Sequence, residues 1–290
     1  MLRQRIITAV VLLAVLGASL WPVSPTPFTA LALVIMAAAA WEWARLNGTQ
    51  GFGALMFGAA MALACAATAW AGWLDALVTG WWLVAALWVL LGAALLRVGA
   101  AGWTRVPGLV RLGLGFVMLW AAWLAVVQSR LVGVNYLLSV LALVVAADTA
   151  AYFAGRAFGG RLVARKLAPS ISPNKSWEGV FGGIVGVLVL AALWIAFDRH
   201  LAPAGSSRSL YTQLLHGGAP LLVASVVALA GMSVVGDLLE SLVKRAAGAK
   251  DSSQLLPGHG GVLDRIDAQL PTLPFALALM SLVASRAVAA

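Results

Sequence analysis

The chain has 290 residues, 62% of them hydrophobic and 10% charged, with 13 Trp and a formal net charge of +9. That composition excludes an ordinary soluble globular domain, and the positive charge is not interleaved with aromatics as nucleic-acid binding would require. The lone cysteine, Cys65, lies in an apolar run and leaves no internal disulfide to form.

Many apolar runs approach the ~20 residues that span a bilayer. They predict an all-α, polytopic integral membrane protein with about nine transmembrane helices, a cytoplasmic N-terminus and a single membrane domain over 1–290. Arg3 and Arg5 precede an apolar run over 6–21. The layout is that of a signal peptide, but the length of the run and the spans behind it favour an uncleaved first helix. Pro22, Pro25 and Pro27 make the first turn. Further spans are predicted at about 28–44, 52–74, 81–96 and 109–127, so that 1–134 carries five spans. Trp21, Trp41, Trp43, Trp73, Trp81, Trp82 and Trp103 gather near span ends, as an interfacial aromatic belt would. Glu42 at one such end is read as snorkelling to the interface, with a role in positioning a helix as the alternative.

The half from 135 to 290 carries the chemistry. The sixth span, about 136–153, contains Asp148, and a carboxylate inside an apolar run is a functional-site candidate by default. Tyr152 and Gly155 share its face; a structural hydrogen bond between helices is the alternative. A polar loop over 155–179 follows, with Arg156, Arg161, Arg165, Lys166 and Lys175 against one acid, Glu178. It is too rich in Pro and Gly to span, and suits anionic headgroups or nucleotide phosphates at a membrane surface. The seventh span, about 180–197, opens with Gly179, Gly182, Gly183 and Gly186, spacings that permit close helix packing. The loop to Gly218 is polar, and His200 and His216 in it are read as solvated. The eighth span runs into a second polar region, 236–270, and the ninth follows at about 271–283, with Pro271 and Pro274 early in it.

The second polar region holds Asp237, Glu240, Asp251, Asp264 and Asp267, half of the chain's ten acids. Asp237, Glu240, Ser241 and Lys244 fall at i, i+3, i+4 and i+7, one helical face. Gly248 and the run Pro257-Gly258-His259-Gly260-Gly261 break the helix and admit close approach of a ligand to the backbone. Asp264 and Asp267 then open a new helix with Arg265 between them. Carboxylates on two helix ends, a glycine-rich connection and Lys/Arg residues suit a polyphosphate held through Mg²⁺. A loop that only enforces topology needs Lys and Arg but has no use for five acids.

Orientation follows from charge. With nine spans, all but four of the nineteen Lys and Arg residues fall on the side of the N-terminus. The exceptions are Arg130, Arg199, Arg208 and Arg286. By the positive-inside rule that side is cytoplasmic, and both polar regions lie on it.

Ser241-Leu-Val-Lys244-Arg245, Lys250-Asp251 and Pro257-Gly-His259-Gly-Gly-Val-Leu-Asp264-Arg265-Ile-Asp267 resemble the signature of the phosphatidate cytidylyltransferase (CDP-diacylglycerol synthase) family. The first polar loop resembles it too, through Asp148, Gly155-Arg156 and Ser172-Pro-Asn174-Lys175-Ser176-Trp-Glu178-Gly179. Asn174 stands where the family pattern has Lys, and Ser176 where it has Thr. The resemblance runs from Asp148 to about Pro274, and the first five spans enter it only as generic apolar helices.

The resemblance implies that CTP and phosphatidate give CDP-diacylglycerol and pyrophosphate. It implies Mg²⁺, alone or as one of a metal pair, on Asp237 and Asp264, with Asp251 and Asp267 as second choices. Lys250 and Arg265 join Asp237 and Asp264 as catalytic residues. Ser172, Lys175, Lys244 and Arg245 bind phosphates. His259 donates to phosphate or closes a turn, and Asp148 lines the cavity from the membrane side. Expected partners are CTP, phosphatidate, membrane lipids and a second copy of the chain, with no nucleic acid. The expected place is a bacterial inner (plasma) membrane with the site facing the cytoplasm. Selection of cytosine rests on the resemblance alone.

Other classes fit less well. An ion- or proton-coupled transporter using Asp148 and Asp237 conflicts with charges clustered on one side and with the lack of an inverted repeat. A CDP-alcohol phosphotransferase would carry an Asp-Gly-x-x-Ala-Arg motif, and a P-loop kinase a GxxxxGK[ST] motif; the sequence has neither.

Overall fold

The computed structural model describes residues 2–75, 80–203 and 205–289. Among them are nine helices long and apolar enough to cross a membrane. These are α1 (Leu2–Leu20), α2 (Thr26–Leu46), α3 (Gly51–Trp70), α4 (Trp81–Arg105), α5 (Gly108–Val132), α6 (Val134–Phe158), α7 (Trp177–His200), α9 (Ala219–Ala246) and α11 (Gln269–Ala289). Two short helices, α8 (Leu210–His216) and α10 (Leu263–Ile266), and a 3-10 turn over Trp73–Asp75 complete the order. No strand occurs among the described residues, only the isolated bridges Ala168–Ser172 and Leu256–Gly260.

Backbone groups in a bilayer must be satisfied internally, which is why apolar runs become helices. Their ends differ from the sequence expectation where polar residues interrupt the hydropathy. The fourth span does not stop at Leu96: α4 continues past Arg97, bends at Gly99 (φ +65°) and ends at Arg105. That left-handed backbone favours glycine. The polar loop after α7 also contains α8, capped by the Ser209 side chain and buried through Leu210, Tyr211 and Leu214. His200 and His216 are exposed, as expected.

The second half of α5, from Ala121 to Arg130, is buried throughout, and Trp123, Tyr136, Leu143, Leu214 and Leu229 fill the core around it. Helix α1 lies at the edge with an almost wholly exposed surface. The interfacial reading of Trp suits Trp21 and Trp73, which are exposed, but Trp81 and Trp103 are buried. Trp81 Nε1 donates to Gln128 Oε1 at 2.8 Å, and Trp103 Nε1 donates to Asn47 Oδ1 at 3.0 Å. A buried indole N–H usually finds such an acceptor.

The glycine spacing at the start of α7 does what small residues do in membranes. A Cβ at Gly182 would lie 2.1 Å from Ala154 Cβ, and one at Gly186 would lie 2.3 Å from Ala150 Cβ. Helices α6 and α7 are therefore in near backbone contact, and their shared end forms one wall of the site.

Candidate active site

The polar loop between α6 and α7 and the region from the end of α9 to the start of α11 meet at one end of the bundle. Between them lies a cavity of about 550 Å³. Asp148, Ser172, Lys175 and Asp237 all line it, with Tyr152, Arg156 and Asn174. Lys175 Nζ lies 2.5 Å from Asp237 Oδ2, so one ion pair joins the two polar regions. Asp237 is within electrostatic range of Asp148 and Asp267, and Arg265 is within range of Asp148. The exposed position of Asp148 on the cavity wall disfavours the reading of it as an interhelix hydrogen bond.

A second group sits beside the first. Lys244 Nζ lies 2.6 Å from both Glu240 Oε2 and Asp264 Oδ1. The other oxygen of Asp264, Oδ2, accepts from Ser252 N (2.9 Å), Ser252 Oγ (2.9 Å) and Gly261 N (2.8 Å). Asp264 thus faces a cation on one side and organises the glycine-rich loop on the other. Gly260 (φ +84°) lies against it: an added Cβ would fall 2.9 Å from Oδ2.

The remaining predicted residues lie outside these two groups. Arg245 is exposed and donates to Ala249 O, while Lys250 and Asp251 are exposed in the loop. Arg265 is exposed in α10. The backbone N–H of His259 donates to Leu256 O at 2.8 Å and closes a turn, and its buried side-chain Nδ1 has no hydrogen-bond partner among the described residues. Asp267 Oδ1 accepts from Ala268 N.

The first polar loop owes its shape to residues at the N-terminus of α7. Ser176 caps the helix, accepting from Gly179 N at 3.2 Å. A hydroxyl is what that position needs, and Ser supplies it as Thr would. Glu178 is buried, and its Oε1 accepts from Leu162 N (3.0 Å) and Val163 N (2.9 Å), holding the loop folded back.

Sequence reasoning missed a counterpart in the other loop. Glu42 is fully buried rather than snorkelling. Its carboxylate accepts from Ser252 Oγ, Ser253 Oγ, Val262 N and Leu263 N, all in the glycine-rich loop and the first turn of α10. The adjacent glycines signalled a close approach to that loop, but nothing local names the residue that approaches.

Among the described residues no three His, Cys, Asp or Glu side chains form a closed metal cage. Mg²⁺ asks for less, one or two carboxylates with water and substrate phosphates completing its shell. Asp237 and Asp264 each turn a hard oxygen donor towards a lysine ammonium, so the donor set fits a divalent cation.

The Cytidylyltransferase family matches residues 3–283. The chain belongs to that family. Among curated cytidylyltransferases, the phosphatidate cytidylyltransferase of Pseudomonas aeruginosa is 39% identical over 287 residues, covering 97% of each chain. That of Haemophilus influenzae is 37% identical over 303 residues, covering 95% of this chain and 97% of the relative. The Bacillus subtilis protein of the same name is 39% identical over 150 residues, about half of each chain. The family match takes in the N-terminal helices, so the limit placed at Asp148 from the motifs alone was too narrow. Glu42, on α2, gives a physical reason for those helices to belong to the site's architecture.

Proposed function

We propose that this cytidylyltransferase transfers CMP from CTP to phosphatidate, giving CDP-diacylglycerol and pyrophosphate. A phosphatidate phosphate oxygen bonds to the α-phosphorus of CTP, the bond from that phosphorus to the bridging oxygen of the β-phosphate breaks, and pyrophosphate leaves. The observation that carries the reading is the Lys175–Asp237 ion pair at the mouth of a cavity where both polar loops meet on a membrane bundle. The nucleophile is already an anion, so no general base is needed and the task is positioning and charge neutralisation. Lys175, Lys244 and Arg265 neutralise phosphate charge, and Ser172 donates a hydrogen bond from the cavity wall. Arg245 and Lys250 raise the local positive potential from the exposed part of the loop. Asp148 lines the side of the cavity nearest the apolar span.

Asp237 and Asp264 would hold Mg²⁺, with Asp267 adding negative charge beside Asp237; bound there, the ion would screen the triphosphate. With the metal on these carboxylates, Lys175 and Lys244 would be available to phosphate. The excess of Lys and Arg at this end supports a cytoplasmic site in a bacterial inner membrane.

The test is direct. The purified protein in detergent, given radiolabelled CTP, phosphatidate and a divalent metal, should move label into the lipid phase, and chelation should abolish it. Absence of lipid-phase label from folded protein would remove this reading.

A further inference from the structure

Glu42 has a role that the reaction scheme above does not use. It sits on α2, more than two hundred residues before its partners, and is fully buried. Oε1 accepts from Ser253 Oγ at 2.5 Å and Val262 N at 2.9 Å; Oε2 accepts from Ser252 Oγ at 3.1 Å and Leu263 N at 2.7 Å. All four donors belong to the loop that carries Asp264. The single hydroxyl hydrogen of Ser252 lies between two carboxylates, Glu42 Oε2 and Asp264 Oδ2 at 2.9 Å. A Cβ at Gly261 would come 2.0 Å from Ser252 Oγ and 2.5 Å from Glu42 Oε1, so residue 261 leaves room for this junction by having no side chain.

We infer that Glu42 is a positioning residue for nucleotidyl transfer: through Ser252 and the amides of Val262 and Leu263 it fixes the loop that aims Asp264 at Lys244 of α9. A buried carboxylate is costly unless it is hydrogen-bonded, and four donors from one segment tie the Glu42 carboxylate to one loop conformation. Glutamine has the same shape but presents one acceptor oxygen and an NH₂ group, which would face N–H or O–H donors on its side. The inference rests on the reading of Asp264 as a site residue.

The experiment compares Glu42→Gln, Glu42→Asp, Ser252→Ala and Asp264→Asn in the full chain in detergent. Two quantities are read: kcat and KM for CTP, and amide hydrogen exchange over 251–263 without metal or nucleotide. Glu42→Gln should lower kcat about thirty-fold with KM for CTP within about two-fold, the pattern of an interaction realised in the transition state. Exchange should quicken at Ser252, Gly261, Val262 and Leu263 while α5 and α11 keep their protection. Glu42→Asp, which keeps the charge, should recover part of the loss. Wild-type kcat in Glu42→Gln, or faster exchange spread evenly through α5 and α11, would overturn the inference. Should Glu42→Gln fail to fold, Ser252→Ala decides: a several-fold fall in kcat supports the relay, and an unchanged kcat overturns it. Wild-type turnover in Asp264→Asn would instead remove the reading of Asp264, while loop exchange in Glu42→Gln still reports on the anchor separately.

Discussion

The two ends of the bundle satisfy carboxylates in opposite ways. Asp198, near the end of α7, is surrounded by neutral donors: Asn135 Nδ2 (2.7 Å) on one oxygen, and Ser209 N (2.9 Å), Ser209 Oγ (2.6 Å) and Thr212 Oγ1 (2.6 Å) on the other. Both of its oxygens are hydrogen-bonded, and it holds α8 against α6 and α7. At the other end, Asp237 and Asp264 face lysine ammonium groups, and Asp237 opens onto a cavity. A carboxylate closed by neutral hydrogen bonds has finished its work on folding. One balanced by a mobile cation can exchange that cation for a ligand.

Substitutions can sharpen or break that contrast. The largest expected effect is at the open end: Asp237→Asn or Asp264→Asn should lower turnover about a thousand-fold, with helical content by circular dichroism unchanged. Retained activity in either variant would move that acid to the structural class. Lys244→Met should lower both turnover and stability, because it leaves Glu240 and Asp264 without their counter-ion. Removing one partner of a buried pair costs about 3–5 kcal/mol, readable as the thermal unfolding midpoint. At the closed end, Asp198→Ala should lose about 3 kcal/mol by stranding buried donors, while turnover per folded molecule stays within about three-fold. A turnover loss as large as that of Asp237→Asn would erase the distinction. Lys175→Met, at a partly exposed pair, should change stability by less than about 1 kcal/mol yet lower turnover. Thr8→Ala removes only an exposed hydrogen bond to Pro257 O and should shift stability by less than about 0.5 kcal/mol.

The sequence showed the nine apolar segments plainly, because each is long enough to be read without knowing its neighbours. It also marked Asp148 and the acids of 236–270, because charge in such a chain is conspicuous. It did not show Glu42 at work. A glutamate between two tryptophans near a helix end looks the same whether it reaches the interface or caps a loop more than two hundred residues later. Asp198 was hidden for the same reason, as the hydroxyls that enclose it read as ordinary loop polarity. Trp81 and Trp103 passed for belt residues because their acceptors, Gln128 and Asn47, are distant in the chain. Local pattern reports what a residue prefers; the partner that satisfies it is decided by packing.

The seam between α6 and α7 bears on how disturbances travel. Glu178 and Asp198 sit twenty residues apart on α7, about 30 Å at 1.5 Å per residue. A free rod of that length acts as a lever, and a tilt of about 2° at one end moves the other by about 1 Å, enough to misplace a reacting group about a hundred-fold in rate. Helix α7 is not a free rod. Gly182 and Gly186 seat it on Ala154 and Ala150, and Trp194 Nε1 and Asp198 are tied to Asn135 of α6 towards its other end. The two helices are joined along their length and tilt together, so Asp148 on α6 and the loop capped by α7 keep their places relative to each other.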